Sequence, residues 1–108
     1  MDFARTLEEL HGFIRRPVTV YLWTAQNDRP ADSLGVMNGV LREVQEINRP
    51  EAGPDGEDYW CILDEGVGHF MLHRATFTSA YWTQDTGQTF GELHVVHADA
   101  VTVITALA

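Results

Sequence analysis

The sequence contains no lysine. Its seven basic side chains are all arginines and stand against 16 acidic residues, so the formal net charge is -9. Proteins that bind nucleic acids usually present a basic surface, because neutralising phosphates supplies much of their affinity. The charge balance therefore disfavours RNA or DNA as the main partner.

The sequence has only one cysteine, Cys61, which excludes a disulfide bond within the chain. Cys61 lies in the apolar run YWCIL, as is typical of a buried, reduced thiol. The first ten residues carry acids and no apolar segment, unlike a signal peptide. No run approaches the roughly 18 apolar residues of a membrane span. These absences predict a cytoplasmic protein with no membrane partner.

Eight of the acidic side chains fall within one third of the chain, where few arginines accompany them. They are Glu43, Glu46, Glu51, Asp55, Glu57, Asp58, Asp64 and Glu65. Such a cluster is typical of a solvated loop that keeps a protein soluble. Two other interpretations stay open: a docking surface for a basic protein partner, and weak cation binding.

The N-terminal segment, residues 1–16, has the spacing of an amphipathic helix. Its apolar side chains recur three or four residues apart: Phe3, Leu7, Leu10 and Ile14. Pro17 stops this helix, because proline has no amide hydrogen to donate within it. Two arrangements stay open for the helix start, a capping box of Thr6 with Glu9 and an N-cap at Asp2.

The remainder of the chain has the pattern of strands separated by turns. Residues 18–24 alternate as a strand does, and residues 25–32 are predicted to be a loop. Residues 34–47 are predicted to form one long strand, since the interior glycines Gly35 and Gly39 suit a sharply bent one. The sequence therefore predicts a mostly β fold, an N-terminal α-helix followed by a five- or six-stranded, strongly bent antiparallel barrel.

A resemblance to Sm-like proteins agrees with this fold. The strand PVTVYL with the GVL step at residues 39–41 resembles the first Sm motif, and ELHVVHADAVTVI at residues 92–104 resembles the second. The resemblance implies that residues 1–108 form one domain, an Sm-like barrel or a closely related SH3-like one. Residues 66–90 exceed the usual length of the family and are expected to form an extra hairpin.

The same resemblance implies the binding of single-stranded RNA on a ring of six or seven subunits. The positions that match the RNA contacts of the family are Tyr59, Trp60, His97 and Asp99. The pattern departs from the family at His97 and Ala98, where an Arg-Gly pair is typical. An aromatic ring stacked on a base contributes roughly 1–3 kcal/mol, but the acidic cluster would repel phosphate. RNA binding is therefore an alternative function and not the leading one.

The leading expectation is a non-enzymatic scaffold that assembles into a closed homo-oligomer of five to seven chains. Tyr21 and Trp23 share one face of the first strand, and aromatic side chains are enriched at protein interfaces. Sm-like barrels leave the edges of their last two strands free until a neighbour pairs with them, which places Val95 and Val96 at the interface. A further alternative is an isolated SH3-like module that binds another protein.

No catalytic residue, metal or cofactor is predicted, and the chain is expected not to be an enzyme. His69 and His73 are four residues apart on a predicted strand, roughly 13 Å, which is too far to share one ion. His94 and His97 are three residues apart on another predicted strand, so their side chains point to opposite faces of it. A metal site assembled from different strands, such as His69 with His94 or His97, stays open. Cys61 lies in an apolar strand, which argues against a thiol nucleophile.

Overall fold

A computed structural model describes residues 1–48, 56–64, 68–83 and 91–106. These residues form one helix and eight strands, which confirms a mostly β fold with a helix near its start. The elements are α1 (Phe3–His11), β1 (Pro17–Gln26), β2 (Arg29–Val40), β3 (Glu43–Asn48), β4 (Glu57–Ile62), β5 (His69–His73), β6 (Phe77–Thr83), β7 (Glu92–His97) and β8 (Ala100–Ala106).

The strands form two antiparallel sheets. The larger sheet has the order β2-β1-β8-β7-β6, and the smaller one has the order β3-β4-β5. The described strands do not close into a barrel, so the predicted Sm-like or SH3-like barrel is not confirmed. Eight strands replace the predicted five or six, because the long strand predicted at residues 34–47 is divided between the sheets and residues 69–83 likewise contribute a strand to each sheet.

The first division is a corner at Leu41 and Arg42, within the single strand predicted at residues 34–47. The Leu41 side chain is fully buried. Its amide donates to the carbonyl of Arg16 at 3.2 Å, and its carbonyl accepts from the amide of Arg15 at 2.7 Å. These two bonds hold the corner against the segment that follows α1, so β2 and β3 enter different sheets.

The second division is between β5 and β6. β5 pairs with β4 in the smaller sheet, whereas β6 pairs with β7 in the larger one. The extra hairpin predicted at residues 66–90 is therefore wrong in its described part, because these two strands do not pair with each other. Residues 65–67 and 84–90 lie outside the described residues.

The β1–β2 hairpin is longer than the sequence predicts. Gln26 pairs with Arg29, so Asn27 and Asp28 alone form the turn, with φ angles of 54° and 61°. Asparagine and aspartate tolerate this left-handed conformation, and two-residue turns with positive φ match the twist of the flanking strands. The loop predicted at residues 25–32 is therefore mostly strand, since polar residues are tolerated on an exposed edge.

The helix α1 ends at His11 and not at residue 16. Its N-cap is Asp2, whose side chain accepts a hydrogen bond from the Arg5 amide at 2.8 Å. The Thr6 hydroxyl instead donates to the Asp2 carbonyl oxygen at 2.7 Å. The structure thus selects Asp2 from the two predicted caps. In the described part of the chain, no helix has the length and apolarity needed to cross a membrane.

A single large core lies between the two sheets and beneath α1. It combines side chains from the helix, both sheets and the connecting corners: Phe3, Leu10, Val18, Val20, Leu41, Cys61, Leu63, Phe70, Leu72, Leu93, Val95 and Ile104. Cys61 is fully buried, as predicted. This burial raises the pKa of its thiol to about 12, so the thiol is protonated and inert at neutral pH.

The last two strands, β7 and β8, occupy the middle of the larger sheet. β8 pairs with β1 and β7, and β7 pairs with β6 and β8. The expectation that Val95 and Val96 lie on a free edge is therefore wrong, and both side chains are fully buried. A strand with two hydrogen-bonded neighbours has no row of unpaired backbone groups with which to recruit a third.

Candidate interaction sites

The two aromatic residues predicted to contact RNA point to opposite faces of β4, as neighbours on a strand do. The Tyr59 ring faces the core, 5.7 Å from the ring of Phe3 between centroids. The Trp60 ring meets His69 edge-on at 5.0 Å. Burial and two nearby glutamates raise the pKa of Tyr59. Tyr59 and Trp60 therefore do not form one stacking surface, and the glutamates would repel a phosphate beside Tyr59.

The other two predicted RNA contacts share a cleft between the sheets. The cleft has a volume of about 380 Å³. Its walls combine the apolar side chains Leu22, Leu34 and Phe70 with the polar ones His73, His97 and Asp99. The structure therefore brings His97 and Asp99 together, and it adds His73, which comes from the smaller sheet.

His97 connects the two sheets across this cleft. Its Nε2 accepts a hydrogen bond from the backbone amide of His73 at 3.0 Å. Nε2 therefore carries no proton, and the neutral ring has its hydrogen on Nδ1. Burial lowers the pKa of His97 and the neighbouring His73 lowers it further, while Asp99 opposes both effects. The ring is consequently neutral around pH 7.

A second polar contact orients the His73 ring. Its Nδ1 lies 2.8 Å from Oδ1 of Asp58, which is only 4% exposed. The carboxylate accepts, so Nδ1 donates and the lone pair of the neutral ring is on Nε2. Such an imidazole is able to accept a hydrogen bond from a donor.

Few reactive side chains accompany these histidines among the described residues. The described lining of the cleft includes the hydroxyl group of Thr102, which is 4% exposed, and no serine, cysteine or lysine. Across the described ranges, no group of three or more His, Cys, Asp or Glu side chains is placed to hold a metal ion. What the cleft offers is hydrogen bonding beside apolar walls.

Two hydrogen bonds at the ends of the β4–β5 pair show which residues of β5 bond to β4. The Arg74 amide donates to the Glu57 carbonyl at 3.1 Å, and at the other end the Leu63 amide donates to the Gly68 carbonyl at 3.0 Å. Hydrogen-bonded and outward-pointing residues alternate along an antiparallel strand. The even-numbered residues of β5 therefore bond to β4.

The odd-numbered residues of β5, His69, Met71 and His73, direct their backbone amides and carbonyls away from β4. The bond from the His73 amide to His97 agrees with this alternation. No strand in the described part of the chain pairs with this edge of β5. All three residues line the cleft, so the cleft has a strand edge as one of its walls.

A second candidate surface is the face of the larger sheet that points away from the core, termed the outer face. Cross-strand pairing places one row of five residues across all five strands: Val36, Tyr21, Val103, His94 and Tyr81. The adjacent row contains Ser33, Trp23, Val101, Val96 and Ser79. Neither row contains an acid or an arginine.

The outer face is apolar at its centre and exposed at its ends. Its three valines form a cluster with the half-buried rings of Tyr21 and Trp23. Val36 is 53% exposed at one end of the first row, and Tyr81 is 37% exposed at the other. Tyr81 stacks on His94 at 4.9 Å between centroids, and burial lowers the pKa of His94. Two of the predicted interface residues, Tyr21 and Trp23, thus lie side by side here.

The predicted acidic cluster is partly neutralised within the chain. Glu57 pairs with Arg74 at 3.1 Å, and Asp58 accepts a hydrogen bond from the imidazole of His73 at 2.8 Å. Asp64 pairs with Arg42 at 2.7 Å, and the Val40 amide and this arginine lower the pKa of Asp64. Three further members lie outside the described residues: Glu51, Asp55 and Glu65.

Sequence reasoning missed the contact between Asp58 and His73 and the exposed Leu34. It counted Asp58 with the solvated acids and tested His73 only as a metal ligand. The available signal was that Asp58 directly precedes the aromatic and apolar run YWCIL, which places it at the start of a strand and not within the solvated loop. The partner across the sheet is set by the register of β4 and β5, which the sequence does not show.

Comparison of the chain with protein-family models, with curated proteins and with solved structures gives no match in any of the three.

Proposed function

We propose that the protein is a non-enzymatic binding module that associates with itself through the outer face. The observation that carries this proposal is the row from Val36 to Tyr81, which crosses five strands without an acid or an arginine. The centres of protein interfaces are depleted in charged residues and enriched in Tyr and Trp. Two chains that each carry a net charge of -9 approach most readily through a face with little of that charge.

The expected assembly is a dimer. Contact between two copies of one face is isologous and is closed by a two-fold axis. The alternative ring of five to seven chains depended on free edges at β7 and β8, both of which already have two partners. The polar margin of the outer face also suits an interface rim, since the Thr19 hydroxyl donates to Asn38 Oδ1 at 2.7 Å and leaves neither group unpaired.

Two observations support a non-enzymatic role. The Cys61 thiol is fully buried, so it is neither accessible nor ionised. The imidazole of His73 is well oriented, but the described lining of its cleft holds no serine, cysteine or lysine for it to activate, and the hydroxyl group of Thr102 is buried.

Native mass by light scattering on a gel-filtration peak tests the proposal. The wild-type protein is expected at twice the chain mass of 12.1 kDa. The double substitution Val36→Arg with Tyr81→Arg places charge at both exposed ends of the row and is expected to give single chains. The matched control is Gln45→Arg, which adds one charge at an exposed position on the smaller sheet and is expected to leave the dimer intact.

Two results would overturn the proposal. The first is a wild-type protein that stays monomeric at a concentration of several hundred micromolar. The second is a mass of five to seven chains that the double substitution does not change, which would indicate a ring built through another surface.

A further inference from the structure

Sheet edges attract other strands, and proteins normally protect them. At the edge strand β2, Pro30 lacks an amide hydrogen and Asp32 carries a charge. The pairing of β2 with β1 is also interrupted by two irregularities of register, which twist an edge away from a flat partner. At the edge strand β3, Glu43 and Glu46 are both exposed acids. These two edges are therefore protected.

The edge at β6 is covered by the N-terminal segment. The Met1 nitrogen donates to the carbonyl oxygen of Ala80 at 2.6 Å, and α1 packs against β6. Among the described strands the remaining edge is β5, with the sequence HFMLH, which has no proline, acid or arginine. His97 occupies its last outward amide, and the outward groups of His69 and Met71 face the cleft.

We infer that β5 and its cleft bind an extended, basic segment of a partner protein, which adds to β5 as a further strand. Outward backbone groups on two alternate residues are what a peptide strand recognises. Because His97 holds the amide of His73, pairing would centre on His69 and Met71, which lie roughly 7 Å apart, so about three residues of the partner would pair with β5.

The walls of the cleft require apolar side chains on one face of that segment. Side chains alternate along a strand, so every second residue of the partner would point toward the cleft wall. That wall contains Leu22 and Phe70, with Leu34 at its margin, where Leu34 is 64% exposed. A bound segment would cover this exposed leucine, which is a gain in buried apolar area.

The charge of the cleft requires basic side chains on the other face. Asp99 is an exposed acid at the cleft, and no arginine is among the described residues that line it. The His97 ring is neutral, and the whole chain has a net charge of -9. An arginine or lysine in the partner would pair with Asp99, and the net charge would speed its approach.

This site is independent of the outer face. Leu22 and Thr102 line the cleft, and they point to the opposite side of the sheet from their neighbours Tyr21 and Val103. Peptide binding and self-association are therefore separable, and failure of one leaves the other untouched.

Fluorescence anisotropy tests the inference with a pool of labelled nonapeptides in which arginine alternates with valine, leucine, isoleucine or phenylalanine. The decisive variant is Met71→Pro. The Met71 amide points outward, so proline removes a group that binds the peptide and none that bonds to β4. The matched control is Met71→Ala, which removes the side chain and keeps the amide.

The expected result is saturable binding to the wild type, affinity reduced less than about threefold in Met71→Ala, and affinity reduced at least about tenfold in Met71→Pro. Asp99→Asn is expected to weaken binding, and peptides with glutamate in place of arginine are expected not to bind. Circular dichroism checks that each variant is folded. If Met71→Pro is unfolded, a peptide with N-methyl groups on alternate residues replaces it as the test, because it cannot donate to β5.

Three results would overturn the inference. One is that no peptide of the pool binds the wild type at 1 mM protein, roughly the weakest affinity of interest. Another is that Met71→Pro and Met71→Ala bind the peptide with equal affinity, or that the N-methylated and unmodified peptides bind the protein with equal affinity. The third is that Met71→Pro lowers the native mass and not the peptide affinity, which would mean that a second copy of the chain occupies the cleft.

Discussion

The strands β5 and β7 have similar sequences and opposite positions in the fold. β5 reads HFMLH and β7 reads ELHVVH, so each carries two histidines around an apolar centre. β7 lies inside the larger sheet with a partner on each side, whereas β5 lies at an edge with one partner and a cleft. The comparison teaches that the neighbours of a strand, more than its own residues, decide whether it can recruit another.

The burial of side chains also differs between β7, inside its sheet, and β5, at an edge. In β7 the consecutive side chains Val95, Val96 and His97 are all buried, so both of its faces are covered. In β5 only the alternate residues Phe70 and Leu72 are buried. A strand covered on both faces carries apolar side chains along its buried run, or a polar one with a hydrogen-bond partner such as His97, whereas an edge strand tolerates polar side chains at every second position.

The largest expected difference between β7 and β5 is in how much the fold is destabilised by one aspartate placed in each strand. Val95→Asp buries a carboxylate without a partner and should destabilise the fold by more than about 4 kcal/mol, which few domains of this size survive. Met71→Asp adds the same charge at a half-buried edge position and should cost about 1 kcal/mol or less. Urea unfolding followed by circular dichroism measures both. Comparable losses in the two variants would contradict the assignment of β7 to the interior and β5 to the edge.

The sequence predicts the local features that depend on neighbouring residues. The helix at Phe3 to Leu10, the strand character of residues 18–24 and the burial of Cys61 are confirmed, because periodicity and composition carry them. The division of residues 34–47 at Leu41 was missed, since hydrogen bonds to Arg15 and Arg16 create that corner. These partners are distant in sequence, and no local pattern reveals them.

The candidate sites were predictable to a smaller degree. Tyr21 and Trp23 share one face because strand side chains alternate, and that follows from the sequence. The predicted edge at Val95 failed because strand order is a property of the whole sheet. The contact of Asp58 with His73 depends on the register of two strands, which their composition does not determine.

A smaller loss of stability is expected when the hydrogen bond between His97 of β7 and the His73 amide of β5 is removed. His97→Ala removes a buried ring and leaves the His73 amide without its acceptor, which should cost between about 2 and 4 kcal/mol. His97→Gln keeps an acceptor on a side chain of similar reach and should recover part of that loss. The free energy of unfolding of the two variants, measured in urea, makes the comparison. Equal losses would mean that the contact with β5 contributes nothing and that only the volume of the ring matters.

The same histidine predicts how stability depends on pH. Burial lowers the pKa of His97 in the folded protein, while the unfolded chain titrates near pH 6.5. The unfolded state therefore binds more protons as the pH falls below about 7, so stability decreases toward pH 5. His94, whose pKa is also lowered, acts in the same direction. Its contribution remains in the variant described next.

His97→Gln should therefore flatten the decrease in stability between pH 7 and pH 5 without abolishing it. The groups that face His97 across the cleft, His73 with its partner Asp58, and Asp99 beside it, are unchanged in this variant. Unfolding free energies at several pH values measure the difference between variant and wild type. Parallel curves would show that His97 has the same proton affinity in the folded and unfolded states.

The finest distinction between the two strands needs no substitution at all. Successive amides of β7 bond to β6 or β8 in turn, so all of them should resist hydrogen exchange. In β5 the amides of Phe70 and Leu72 should be protected by β4, while those of His69 and Met71 should exchange rapidly. His73 should be intermediate, because an imidazole and not a strand accepts its hydrogen. Amide exchange followed by NMR resolves these positions one by one. Protection at Met71 equal to that at Phe70 would mean that its edge is already occupied, and slow exchange appearing there only after peptide is added would place the partner strand on β5.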